Sequence, residues 1–247
     1  MSTGSSGPSS FPARISAADR AGLLALVREH LPAFTERDVL HVLRHPYLSE
    51  AVIEEILAAR AFLPFRAVRR AIALHPATPR HAALRSLDDL TWRDLLDIGR
   101  ETRTPPPVRK AANLRLLERL RRLTEGEKIA LARLASRELF AELLSDESPR
   151  VVEGLLANPR LTAEDVLAWL ATGNPGAPSL AALAAVPRWI ERPPILAALL
   201  VHRATPRPMA LSLLSKAGRP AWHRLAEDPA VDPLLAACAR TLLRTPR

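Results

Sequence analysis

Apolar stretches rich in Leu and Ala recur along the chain, and polar residues or prolines bound them on both sides. Five places carry Ser or Thr followed three residues later by an acid. At this spacing the hydroxyl caps a helix and the acid lies in the first helical turn. The five pairs are Ser16/Asp19, Thr35/Asp38, Thr91/Asp94, Thr124/Glu127 and Thr162/Asp165. Each pair predicts the start of a helix.

Prolines mark further helix boundaries. Thr78-Pro79 and Thr205-Pro206 match an N-cap followed by proline at the first helical position. Four other prolines follow apolar runs and predict helix ends, because proline biases its predecessor away from helical geometry: His45-Pro46, His75-Pro76, Asn158-Pro159 and Asp228-Pro229. With only 4% aromatic residues and an apolar fraction dominated by Leu and Ala, the composition favours helices over strands. The sequence therefore predicts an all-α fold.

The chain repeats itself. Residues 71–87 and 198–214 are identical at nine of seventeen positions, and shorter copies follow at two further places. The repeats are anchored by Val68, Val108, Val151 and Ile195, which are spaced 40, 43 and 44 residues apart. A period of about 40 residues predicts an α-solenoid, a superhelix of stacked helix pairs.

The repeat pattern also divides the chain. Residues 15–247 are predicted to form one solenoid domain, and residues 1–14, which are rich in Ser and Gly, a disordered tail. A Gly- and Pro-containing segment at 172–178 coincides with the longest repeat spacing and predicts an irregular loop where the stack can bend.

The anchor pattern Val-x-x-x-Leu/Ile-x-x-His/Asn-Pro resembles HEAT-type repeats and the related leucine-rich-repeat-variant helical repeats, over roughly residues 35 to 240. The resemblance implies a right-handed armadillo-type stack in which second helices line a concave face. The resemblance implies no iron–sulfur site, because this chain lacks the cysteine cluster that some leucine-rich-repeat-variant proteins carry. His75, Asn158 and His202 occupy one equivalent position in the repeats, and this interchange indicates a turn-capping role.

Positive charge is concentrated in residues 60–122, which hold 15 basic and 6 acidic residues within a chain of formal net charge +9. Equivalent repeat positions and a helical stripe within this block predict a partner-binding surface: Arg66, Arg69, Arg70, Arg109, Lys110, Arg115, Arg119 and Arg122. Arg is suited to bidentate contact with carboxylate or phosphate. The alternative is a solvated Arg-rich face, in a chain with 32 Arg and 3 Lys.

Two functions follow from these features. The first is a non-catalytic scaffold or adaptor that binds a protein partner through a solenoid face. The second is nucleic-acid binding, since the chain is similar in size, helical architecture and basic charge to HEAT-like alkylpurine DNA glycosylases. If that resemblance holds, Asp94 and Trp92 are the first candidates for a site.

Other chemistry finds little support in the sequence. His41 and His45 share a helix face with Asp38, but the position of His45 at a predicted helix end disfavours a zinc site. The single Cys238 predicts a small buried residue, and Trp92 and Trp169 are predicted core residues. No cofactor motif, signal core or membrane span is evident, so a cytoplasmic protein is expected.

Overall fold

The structure, a computed structural model, describes residues 11–172, 175–229 and 231–244. Within these ranges the regular structure is helical and contains no strand, which confirms the predicted all-α class. Helices pack in neighbouring pairs. The chain divides into two compact units, one ending at Arg119 and the other beginning at Leu120, where the sequence predicted a single domain. No described helix is both long and apolar enough to cross a lipid bilayer.

The first unit is built from short helices joined by tight turns. In chain order they are α1 (Phe11–Ala17), α2 (Arg20–His30), α3 (Glu36–Val42), α4 (Glu50–Ala58), α5 (Arg66–Leu74), α6 (Arg80–Ser86), α7 (Trp92–Arg100) and α8 (Pro106–Leu120), with a 3-10 turn at Leu31–Ala33. Odd-numbered helices pack in succession, α1 on α3, α3 on α5 and α5 on α7. Helix α2 packs on α4, and α5 also packs on α6.

The second unit follows a similar plan. Its helices are α9 (Glu125–Ala132), α10 (Phe140–Leu144), α11 (Pro149–Leu156), α12 (Ala163–Ala171), α13 (Ala177–Ala184), α14 (Pro187–Ile190), α15 (Pro193–Val201), α16 (Arg207–Leu214), α17 (Arg219–Glu227) and α18 (Pro233–Arg244), with a 3-10 turn at Arg137–Leu139. Helix α11 packs on both α9 and α13, α15 packs on α12 and α17, and α17 packs on α18.

The four repeat anchors are buried and lie in α5, α8, α11 and α15. An interval is counted from the helix that holds one anchor up to, but not including, the helix that holds the next. Each interval contains three helices, and the last also contains the single-turn helix α14. Each interval therefore holds at least three helices, where the sequence predicted one helix pair per repeat.

Four of the five predicted capping boxes are present, at the starts of α3, α7, α9 and α12. In each, the threonine hydroxyl accepts the N–H of the acid, and the acid side chain accepts the N–H of the threonine. The fifth prediction, Ser16/Asp19, is wrong. Asp19 is itself the N-cap of α2 and accepts the N–H of Gly22 at 2.7 Å, whereas Ser16 lies inside α1.

The two Thr-Pro sequences start helices one residue later than predicted. Pro79 and Pro206 are the N-cap residues of α6 and α16. The hydroxyls of Thr78 and Thr205 point backwards and donate to the carbonyls of Ile72 and Leu199, each at 2.7 Å. These threonines therefore tie the last turn of one helix to the start of the next.

The predicted capping role of the equivalent His and Asn residues is confirmed. Each side chain accepts the backbone N–H two residues further on: His45 from Tyr47, His75 from Ala77 and His202 from Ala204, all at 3.1–3.2 Å through Nδ1, and Asn158 from Arg160 at 2.9 Å through Oδ1. Helices α5 and α17 end at the residues before His75 and Asp228, as the prolines predict. His and Asn form the same turn because each side chain places an acceptor atom within hydrogen-bond distance of the N–H two residues further on.

Three other predictions need correction or fall outside the described residues. Helix α1 begins at Phe11, so residues 11–14 belong to a helix and not to a tail, while residues 1–10 lie outside the described ranges. The proposed bend at 172–178 includes residues 173 and 174, which also lie outside them. Cys238 is half-buried on α18 where full burial was expected.

Candidate partner-binding groove

A groove of about 660 Å³ runs along the exposed side of α5, with α3 and α7 on either side. We call it the α5 groove. It is lined by Leu40, Leu43, Arg44, Arg66, Ala67, Arg70, Ala71, Leu74, His75, Pro76, Asp94, Asp97, Glu101 and Arg103. Its volume lies within the roughly 300–1,000 Å³ typical of ligand clefts.

The floor of the groove is apolar. Leu43 is buried, Leu40, Ala71 and Leu74 are half-buried, and Ala67 is exposed. Small side chains one helical turn apart on α5 leave its backbone open to close approach. The α5 sequence produces this face because Val68, Ile72 and Ala73 turn towards the core, which leaves Ala67 and Ala71 on the groove side.

Asp94 connects the groove to the start of α7. Its Oδ2 accepts the hydroxyl of Thr91 at 2.7 Å and the N–H of Thr91 at 3.2 Å. The Arg70 Nε lies 3.4 Å from Oδ1, and the Arg66 Nε lies 3.7 Å from Oδ2. The carboxylate is nearly buried, so these cations compensate its lost hydration.

A second ion pair fixes the relation between α5 and α7. The Arg70 Nη2 lies 3.0 Å from the Asp97 Oδ2, one turn beyond Asp94. Arg66 and Arg70 therefore meet Asp94 and Asp97 in the same order along both helices, which shows that α5 and α7 run parallel. The far end of the groove, beyond Leu74, is consequently next to the end of α7.

The structure places only two of the predicted site residues, Arg66 and Arg70, in this groove. Arg69 points away from it, into a cavity of about 730 Å³ beside α4 and α6. There it pairs with Asp89 and donates to the carbonyl of Leu63. Adjacent arginines on α5 thus serve two different surfaces.

Three more predicted arginines are engaged in holding turns. Arg109 donates to the carbonyls of Thr102 and Thr104, both at 3.0 Å. Arg115 pairs with Asp88 at 2.6 Å, and Arg119 donates to the carbonyls of Asp88 and Leu90. The remaining two residues, Lys110 in the first unit and Arg122 in the second, are exposed. Much of the basic block therefore binds the chain's own acids and carbonyls.

Two cations of the groove were not predicted. Arg44 follows α3 and Arg103 follows α7; both are exposed, and no ion pair in the described part of the chain includes either. Neither lies at a repeat position next to an anchor, so the repeat pattern does not single them out. Arg44 directly precedes the turn residue His45. Arg103 lies two residues after Glu101, whose side chain accepts the Arg103 N–H at 3.1 Å.

The two candidates for glycosylase chemistry lie close together at the start of α7 but have different roles. Both oxygens of Asp94 are engaged, by the helix cap and by Arg70. Trp92 is half-buried, so its predicted core position is wrong, and the Arg93 guanidinium lies 5.2 Å from its ring centroid. Trp169, in contrast, is buried as predicted.

The histidines considered for zinc are bound separately. His41 Nε2 lies 2.8 Å from the hydroxyl of Ser16, whereas His45 caps its turn. Within the described ranges, no three His, Cys, Asp or Glu side chains converge as ligands of a metal ion.

Two turn histidines give the fold a dependence on pH. Burial lowers the pKa of His75, and burial together with the charge of Arg203 lowers the pKa of His202. The folded state therefore favours the neutral ring, whose Nδ1 accepts a backbone N–H. Above the unfolded pKa of about 6.5 both states are neutral, and below it the unfolded chain binds protons that the folded chain resists. Stability is accordingly present at neutral pH and lost as the pH falls.

We expect the free energy of unfolding to fall between about pH 7.5 and 5.5, and the fall to shrink in the variants His75→Asn and His202→Asn. Asn keeps the acceptor, as Asn158 does in the same turn, and does not titrate. Urea unfolding at both pH values measures the effect, with His81→Asn, an exposed histidine outside these turns, as the control. Equal pH dependence in all three variants would contradict the assignment.

Comparisons with protein families, with curated proteins and with solved structures give no match to this chain.

Proposed function

We propose that this chain is a non-catalytic interaction module, a scaffold or adaptor, that binds a protein partner in the α5 groove. The observation that carries the proposal is the lining of that groove. An apolar floor lies between walls that carry both signs of charge, on three helices of one packed row. Such a surface offers a partner segment apolar contact along its length and charged contacts at its edges.

The repeat pattern supports a finer architectural proposal. The buried anchors recur every 40 to 44 residues, and three helices fill each interval. Three helices per repeat of this length are typical of armadillo repeats, whereas HEAT repeats have two. We propose that the helices of this chain form an armadillo-like α-solenoid.

A protein partner fits the groove better than a nucleic acid, the competing function. The lining contains no Trp, Tyr or Phe on which bases could stack. Its apolar floor of Ala67, Ala71 and Leu74 offers no side-chain donor to the phosphates of a nucleic-acid strand. Glycosylase chemistry is also disfavoured, because the Asp94 carboxylate is committed to the helix cap and to Arg70.

Site-specific cross-linking tests the proposed function. A photo-reactive benzoyl-phenylalanine replaces Ala67 at the floor of the groove or, as the matched control, Ala25, an exposed alanine inside α2. After irradiation in the host cell, we expect position 67 to give a covalent adduct with a defined protein that position 25 does not give. Mass spectrometry identifies the adduct.

Two results of this experiment would count against the proposal. Identical protein adducts at both positions would show that the groove has no special role. An adduct at position 67 that nuclease treatment removes would instead assign the groove to nucleic acid.

A further inference from the structure

We propose that the α5 groove selects a partner segment with two acidic residues that flank an apolar stretch. This inference rests on the proposed function and specifies the chemistry of the partner.

The available charge in the groove is positive. Arg70 is matched by Asp94 and Asp97, and Asp94 is further occupied by its helix cap. Arg66, in contrast, is 63% exposed in its side chain and lies 3.7 Å from its nearest carboxylate oxygen.

Arg44 and Arg103 add two exposed guanidinium groups that form no ion pair with a described acid. The groove contains one acid that no Arg or Lys side chain pairs with, Glu101. Its Oε1 already accepts a backbone N–H. A ligand that supplies carboxylates is therefore complementary to the groove as it stands.

The placement of the cations fixes where those carboxylates must be. Arg66 is the first residue of α5, and Arg103 follows the end of α7, which runs parallel to α5 and so ends next to Leu74. From Arg66 to Leu74 the helix rises about 12 Å at 1.5 Å per residue. An extended peptide covers that distance in about four residues at roughly 3.3 Å each.

Between the two ends lies the floor formed by Ala67, Ala71 and Leu74. A segment with an acid at each end and apolar side chains between them would bury those side chains on the floor while its carboxylates reach the guanidinium groups. An extended segment fits because two acids that are three or four residues apart in it are separated by about the same distance as Arg66 and Leu74 along α5.

Fluorescence anisotropy with labelled peptides tests the inference. The probe is a peptide containing Glu-Leu-Ala-Leu-Glu, and the comparison peptides replace both Glu by Gln or both Leu by Ser. We expect the Glu–Leu peptide to bind about tenfold or more tightly than either comparison peptide. Its affinity should also fall as salt is added, because the ion pairs are exposed.

Variants of the full chain locate the binding. The double variant Arg66→Gln/Arg103→Gln should lose at least about tenfold in affinity for the Glu–Leu peptide. Arg85→Gln, at an exposed arginine of α6 outside the groove, should bind like the unchanged chain. Thermal unfolding confirms that both variants are folded.

The results that would overturn this inference differ from those that would count against the proposed function. Equal binding of the Gln peptide, an equal effect of Arg85→Gln, or no binding of any peptide would each overturn the acidic preference. The cross-link from Ala67 does not depend on these charges, so a defined protein adduct there would leave the groove as the docking site of a partner with other chemistry.

Discussion

Replacing Asn158 by Ala is expected to destabilise the second unit by about 2–4 kcal/mol, because it removes three hydrogen bonds at a buried site. Asn158 is 1% exposed. Its Nδ2 donates to the carbonyls of Ala132 and Ala135 at 2.8 and 3.1 Å, and its Oδ1 accepts the N–H of Arg160. The side chain thus joins the turn after α9 to the turn after α11.

The measurement uses the tryptophans of the second unit. In a Trp92→Phe background, the remaining Trp169, Trp189 and Trp222 all lie after Leu120 and are buried, so their fluorescence during urea unfolding reports on this unit. His202→Ala is the control, because that side chain makes one hydrogen bond within the same kind of turn and its loss should cost about 1 kcal/mol. If the two variants were equally stable, the donors of Asn158 would have no special role.

Replacing Gly99 by Ala should destabilise the first unit by about 1–3 kcal/mol, although Ala favours a helix over Gly by about 1 kcal/mol. A Cβ atom added at Gly99, in α7, would lie 2.3 Å from Oδ1 of Asn113 in α8. Asn113 is 3% exposed and has little room to move. Glycine is therefore required here by the close approach of two helices.

The same substitution has the opposite effect where space is free. A Cβ added at Gly126, in α9, meets no atom within 4 Å, so Gly126→Ala should stabilise the second unit by up to about 1 kcal/mol. Urea unfolding followed by circular dichroism measures both variants, and hydrogen exchange of the α7 amides localises the effect at Gly99. Equal effects of the two substitutions would refute the steric explanation.

The signals that predicted the fold correctly are local ones. Four capping boxes and the His/Asn turns are formed by residues two or three positions apart, so their geometry depends little on the rest of the chain. Ser16/Asp19 shows the limit of such signals. The two residues have the capping-box spacing, yet Ser16 lies inside α1 and Asp19 is the N-cap of α2. A spacing alone does not tell which residue is the N-cap.

The helix count per repeat could have been predicted. Between the anchors Val68 and Val108, the start signals at Thr78 and Thr91 already divide the interval into three segments. The repeat length suggested two helices, yet the chain forms three of seven to nine residues. Counting the start signals within one period would have given the observed number.

The groove could be predicted only in part, because its charges depend on which helices become neighbours. The repeat position identifies Arg70, and helical spacing to the pair Arg69-Arg70 identifies Arg66; both line the groove. Arg69 and Arg115 form ion pairs with Asp89 and Asp88 instead, acids that are 20 and 27 residues away in the sequence. Such pairings are set by packing between helices and leave no local pattern.

The shortness of the helices has a consequence for how the chain can be divided. Segments of seven to nine residues, such as α5, α6 and α7, are well below the roughly 12–15 residues that an isolated helix needs to persist in water. Each exists only because its neighbours cover it. A protease that cuts one exposed turn would therefore release no stable helical peptide, and truncation endpoints for expression have to follow the limits of a whole unit.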